Sequence, residues 1–277
     1  MAEAIAPPTA VASVTLAALR GVLFIGWTLV CFPVQAACLL VSRRAATAFP
    51  TFFHRRLARF LGFRVTVYGQ RSAARPTLFV CNHLSYIDIV VLGGAFEGSF
   101  ISKADVRSWP VFGLLARMQR TIFIARSREA IRGQSAEIAD RLRAGDALML
   151  FAEGTSTDGA MVRPFMASLF GVAQPADGET PVVVQPVTLA YHRVDGMPIT
   201  RLLRPYVCWY GDMDLAGHAP KMLGLGVIDA AVIFHPPQTI AGAGGRKALA
   251  AYCENACRAG LESAHRSAPA PYTAAAA

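Results

Sequence analysis

The stretch "TIFIARSREAIRGQSAEIADRLRAGDALMLFAEG", residues 121–154, decides the fold. "TIFIAR" is a short apolar run of strand type, and "ALMLFAEG" (147–154) is a second. Between them Ser127 is suited to cap a helix, Ile131, Ile138 and Leu142 recur on one helical face, and Gly145 ends the pattern. Strand, helix and strand with short links predict a parallel βαβ unit.

Working outward, "RVTVYG" (64–69), "TLFVCN" (77–82) and "VVVQPVTLAY" (182–191) read as further strands. Arg246–Ser263 reads as a helix entered from the glycine-rich "AGAGG". The Pro/Ala-rich tail after it, residues 266–277, has the composition of a disordered segment. The expected fold class is α/β: a mixed, partly parallel sheet flanked by helices.

Ahead of this body lies "GVLFIGWTLVCFPVQAACLLV" (Gly21–Val41), which carries no charge. As a helix it would be about 31 Å long, enough for a hydrocarbon core of about 30 Å, with Pro33 leaving a re-entrant path open. It exceeds the apolar region of about 7–15 residues found in a signal peptide. Arg43 and Arg44 follow, then "FPTFFHRRLARFLGF" (49–63), in which Phe52, Phe53, Leu57, Phe60 and Leu61 interleave with Arg55, Arg56 and Arg59. That pattern predicts an amphipathic helix on a membrane surface, and the arginines place this end on the cytoplasmic side. The expected organisation is a tail and membrane anchor over 1–42, a basic surface segment over 43–76, a catalytic domain over 77–265 and the tail over 266–277. In a bacterium this puts the catalytic domain on the cytoplasmic face of the inner membrane.

Composition agrees. Apolar residues make up 54% and charged residues 16%, against about 45–50% and about 25% in an average soluble domain. The formal charge is +9, and no carboxylate occurs between Glu3 and Asp88. Such a block needs an anionic partner. Phospholipid fits, because the adjacent apolar span already accounts for the basic collar, and nucleic acid is set aside. The six cysteines form no CxxC pair, and His192, His218 and His235 are scattered, so no metal is expected. "GLGVID" and "AGAGGRK" match neither a dinucleotide fingerprint nor a P-loop.

In α/β sheets functional groups gather where strands end. Three strand ends here carry unusual polar residues: Asn82 and His83 after "LFV", Arg126 after "IFIA", and Glu153, Gly154 and Thr155 after "LMLFA". Around the first, "LFVCNHLSYIDIVV" (78–91) pairs His83 with Asp88. Residues five apart on a helix differ by about 140°, so His83 belongs in the loop and Asp88 in the first turns of the helix after it, reaching back.

These blocks, in this order, resemble the glycerolipid acyltransferases of the 1-acyl-glycerol-3-phosphate acyltransferase type. "NHLSYID" (82–88) matches that family's Asn-His-x4-Asp block. "RTIFIAR" (120–126) matches its second block with Arg120 for the leading Gly. "FAEGTS" (151–156) matches the third with Ala152 for Pro and Ser156 for Arg. "VVVQP", ending at Pro186, matches the fourth. The resemblance covers roughly residues 45–240.

The resemblance implies an acyltransferase moving a fatty acyl group from acyl-carrier protein or acyl-coenzyme A to a lysolipid hydroxyl, with no further cofactor. His83 would be the general base and Asp88 its orienter, chemistry that needs no enzyme nucleophile. Asn82, Arg126, Glu153, Gly154, Thr155 and Pro186 would bind substrate, Arg126 as an anion ligand. The first expected acceptor is 1-acyl-sn-glycerol-3-phosphate. The loss of the family's Arg at Ser156, with "FAEGTSTDG" and "WYGDMDL" (209–215), makes lyso-ornithine lipid the alternative. A non-catalytic lipid-binding protein on the membrane surface is a more distant one.

Overall fold

The computed structural model describes residues 12–124, 128–175 and 178–266, with the backbone alone for 128–135. Arg126, Ser127 and the tail from 267 lie outside the described residues.

Two helices open the chain: α1 (Val14–Val41) and α2 (Arg43–Phe60). Ser13 and Ser42 cap them, each accepting a backbone N–H from three residues on. The strands are β1 (Phe63–Tyr68), β2 (Thr77–Cys81), β3 (Ser99–Lys103), β4 (Ile122–Ile124), β5 (Ala147–Phe151), β6 (Val183–Val194), β7 (Met197–Pro198) and β8 (Ile228–Phe234). Between them run α3 (Asp88–Gly93), α4 (Phe112–Met118), α5 (Arg128–Arg143), α6 (Arg204–Val207) and α7 (Leu215–Leu223), and α8 (Arg246–His265) closes the fold.

One sheet takes the order β1-β8-β6-β2-β5-β3-β4, with β7 beside β6. The pairs β1–β8, β6–β2, β2–β5, β5–β3 and β3–β4 are parallel, whereas β6 meets β8 and β7 antiparallel. The sheet is therefore mixed and mostly parallel. The unit β4–α5–β5 is parallel as its sequence predicts, but β3 inserts between its two strands.

Both faces of the sheet are covered, which is why its central strands read as unbroken apolar runs rather than alternating ones. In β2, Phe79 and Cys81 pack toward α2 and α3, while Leu78 and Val80 pack toward α5 and α8. In β5, Met149 takes the first face, and Leu148 and Leu150 the second. Strand β1 joins the sheet through β8 although it falls inside the 43–76 surface segment. The α/β body thus begins at Phe63, and the segment divides after α2.

Helix α1 is long and apolar enough to cross a membrane, and Val22, Ile25, Leu29, Val30 and Leu40 are exposed on it. It is also fastened to the body at several levels. The buried Arg20 guanidinium donates to the carbonyls of Leu223, the last residue of α7, and of Leu225 and Gly226 just beyond it, at 2.9, 2.6 and 3.0 Å. Orphan carbonyls at a helix C-terminus are natural partners for a cation. Midway, Trp27 Nε1 donates to the Phe53 carbonyl. Further along, Gln35 donates to the carbonyls of Ala46 and Met118.

Candidate active site

His83 follows β2 directly, where the chain leaves the sheet, and Asp88 opens α3. The five-residue offset is bridged as the helix geometry requires: His83 Nδ1 lies 2.8 Å from Asp88 Oδ2. The same oxygen accepts the backbone N–H groups of Leu84 (2.7 Å) and Ser85 (3.0 Å), and Oδ1 accepts the Tyr191 hydroxyl at 2.8 Å. Asp88 is wholly buried, so each of these donors replaces lost water. Burial first, and then the neighbouring Asp88, raise the Tyr191 pKa well above its ordinary value, which keeps its proton in place as a donor. With Nδ1 engaged, Nε2 is the ring nitrogen left for chemistry. Phe151 stacks on the imidazole, with centroids 4.2 Å apart.

The backbone of His83 is held as firmly as its ring. Its N–H donates to Glu153 Oε1 at 2.7 Å, and its carbonyl accepts Thr157 N–H at 2.9 Å. The other oxygen of Glu153 accepts Arg163 N–H at 2.8 Å. Both carboxylate oxygens are thus used inside the protein. Burial pushes the Glu153 pKa up to about 7, opposed by the bonds from His83 and Arg163.

A cavity of about 950 Å³ opens beside His83, near the top of the range of about 300–1,000 Å³ usual for ligand sites. Helices α1, α2 and α4 line it with apolar side chains such as Phe24, Phe32, Phe53, Leu57, Phe112 and Leu115. Gly154, Thr155 and Ser156 lie in its wall. Gly154 has φ +70°, and a Cβ there would meet the Met166 methyl at 2.5 Å, so the turn needs glycine.

The structure brings His83, Asp88, Glu153, Gly154 and Thr155 together, but Glu153, expected to bind substrate, spends both oxygens on backbone N–H groups and does not line the cavity, and neither do two other expected substrate ligands. Asn82 is buried and bonds the Leu189 backbone in both directions, each at 2.9 Å, tying β2 to β6. Pro186 sits inside β6 opposite Val80 and does not line the cavity. Both are framework positions, because their polar or backbone groups are committed to the sheet. Sequence reasoning missed Tyr191 and Phe151, which hold the Asp88 carboxylate and the His83 ring. The first is a tyrosine in a buried strand with no local signal, whereas Phe151 ends a strand, a position that marked the other blocks.

This fold and site define an acyl-transfer enzyme, and comparison with known proteins agrees. Residues 64–190 match the family model described as Acyltransferase. The chain is 46% identical over 239 residues to the lyso-ornithine lipid O-acyltransferase of Brucella abortus, covering 84% of this chain and 88% of that protein. It therefore belongs to the acyltransferase family, and it is an O-acyltransferase that acts on lysolipids. The 1-acyl-sn-glycerol-3-phosphate acyltransferase of Neisseria meningitidis is more distant, at 31% identity over 136 residues, 48% of this chain and 52% of that one. The fold matches the crystal structure of a 1-acyl-sn-glycerophosphate acyltransferase from Thermotoga maritima, with a TM-score of 0.68 over 90% of this chain and 95% of that one at 19% identity.

Proposed function

We propose that this chain acylates the free hydroxyl of a lyso-ornithine lipid at a membrane surface. The order of acceptors expected from the sequence is thereby reversed: 1-acyl-sn-glycerol-3-phosphate comes second. Relatives named for lyso-ornithine lipid match at higher identity and over more of the chain than those named for the phosphate acceptor. Ser156 is consistent with this, because an acceptor without a phosphomonoester has no need of the arginine that the family carries there.

The observation that carries the reading is the His83–Asp88 pair at the wall of a large apolar cavity. His83 Nε2 takes the proton of the acceptor hydroxyl as its oxygen attacks the thioester carbonyl. Asp88 fixes the tautomer that leaves Nε2 free and stabilises the imidazolium that forms. The tetrahedral intermediate collapses, the C–S bond breaks, and the imidazolium proton goes to the leaving thiolate. The products are an ester and a free thiol, so no resident cofactor is required. Acyl-carrier protein or coenzyme A would bring the acyl group as thioester. Glu153 acts as a positioning residue through the His83 backbone, Gly154 and Thr155 border the acceptor, and Arg126 remains the proposed anion ligand.

The contacts along α1 favour a helix set into the membrane beside the body, in line with its exposed apolar face. We place that membrane at the bacterial inner membrane, cytoplasmic side, on the arginine collar. The test is acyl transfer by purified protein in phospholipid vesicles, with acyl-carrier protein or coenzyme A thioesters. Lyso-ornithine lipid should exceed lysophosphatidate by about tenfold or more in kcat/KM, and the opposite order would overturn the acceptor assignment.

A further inference from the structure

Resting on the lyso-ornithine reading, we propose that Trp109, Trp209, Tyr86 and Asp105 form a subsite for a primary ammonium group, which selects an aminated headgroup over a phosphate. Three observations carry it. Among the described residues lining the cavity, histidines apart, the only formally charged side chains are Lys103 and Asp105, and neither forms an ion pair with another described residue. Asp105 thus offers a cation a carboxylate that no described residue neutralises, on the wall of the cavity that His83 also lines.

The aromatic rings supply the second. Trp209 lies edge-on to Tyr86, with centroids 5.9 Å apart at 73°, and to Trp109, at 6.3 Å and 87°. The three rings make one aromatic cluster on the cavity wall, and aromatic faces attract a cation while repelling an anion. Tyr86 is held in this orientation by its hydroxyl, 3.1 Å from Nδ1 of the buried His218.

The third is position. Tyr86 lies three residues after His83, and Trp209 N–H donates to the Leu84 carbonyl at 2.9 Å, so the rings begin beside the catalytic loop. Asp105 stands in the short 3-10 turn Ala104–Ser108, whose end carries Trp109. It is exposed and lines the same cavity as the rings, so it offers a carboxylate there without the cost of burying a charge. An ornithine headgroup ends in an ammonium on a three-methylene arm, with its α-carboxylate nearer the amide. Its cation would meet the aromatic cluster while the lipid hydroxyl reaches His83 in the same cavity.

The experiment compares lyso-ornithine lipid with the same lipid acetylated on its δ-amine, which removes the positive charge and keeps the hydroxyl. Wild-type protein should prefer the free amine by about tenfold or more in kcat/KM, the scale of a partly desolvated cation–π contact with a carboxylate. Asp105→Asn and Trp109→Leu should each move that ratio toward one. A ratio near one in the wild type, or a ratio unchanged in both variants, would overturn the ammonium subsite while leaving the acceptor assignment standing. Failure of the wild type to acylate lyso-ornithine lipid at all, with activity on another lysolipid, would overturn both. The ratio is internal to each variant, so a loss of folded protein does not alter it.

Discussion

Asp88 and Glu153 are both buried carboxylates bonded to His83, yet they hold it by different handles. Asp88 holds the ring and is saturated by four donors: the imidazole, two backbone N–H groups and the Tyr191 hydroxyl. Glu153 holds the backbone, with one N–H from His83 and one from Arg163. Two donors do not offset its burial, and its pKa rises to about 7. In the proposed mechanism one carboxylate belongs to the chemistry and the other to the placement of the loop that performs it. Their substitutions should therefore fail in different ways.

The largest effect is expected at the shared target. His83→Ala should lower kcat for acyl transfer by about 10³-fold or more, the contribution of a positioned general base. An unchanged rate would remove the basis for comparing its two holders. Asp88→Asn comes next. Its remaining oxygen can keep the bonds from Leu84, Ser85 and His83, and the Tyr191 hydroxyl can turn to accept from the new amide. The fold should survive while kcat falls by about 10²–10³-fold through loss of the charge beside the imidazolium. Circular dichroism with single-turnover rates separates these outcomes, and full activity in a folded protein would show that the charge is dispensable.

Glu153→Gln should read out in stability against pH. A carboxyl whose folded pKa lies above its unfolded value of 4.5 contributes stability that is complete below 4.5 and lost as pH rises through about 7. The wild type should lose about 3 kcal/mol across that window, at about 1.4 kcal/mol per unit. Glu153→Gln should lack that part of the slope. Unfolding curves at a series of pH values test this, and parallel slopes for the two proteins would contradict it. The smallest effect is expected at Phe151, which touches the ring without a hydrogen bond. Phe151→Leu should reduce kcat by about three- to tenfold, for the loss of about 1 kcal/mol of ring contact. A loss as large as that of Asp88→Asn would make stacking as important as the charge.

Much of this arrangement could be read along the chain, because the groups nearest the reaction lie where apolar runs stop. His83 and the 153–155 turn both stand just past a strand, and a polar residue there is conspicuous. Contacts made inside the sheet leave no such mark. Tyr191 reaches Asp88 from 103 positions away, out of the middle of a strand where nothing local marks it. Asn82 and Pro186 looked like ligands by their place in the blocks, but the sheet had already claimed them. Strands β3 and β8 went unread for a related reason. "SFISK" is short and half polar, and "IDAAVIF" carries an aspartate and two alanines, so neither has a strong strand signature.

Helix α1 supplies part of the cavity wall as well as the apolar face turned outward. The candidate membrane helix and the cavity beside His83 are consequently one piece of architecture. Removing the first forty residues would not release a soluble enzyme. It would take down one side of the chamber and uncover the carbonyls that Arg20 now occupies. A change in α1 made for the sake of its outer face is therefore also a change in the wall of the cavity, and selection on either one acts on both.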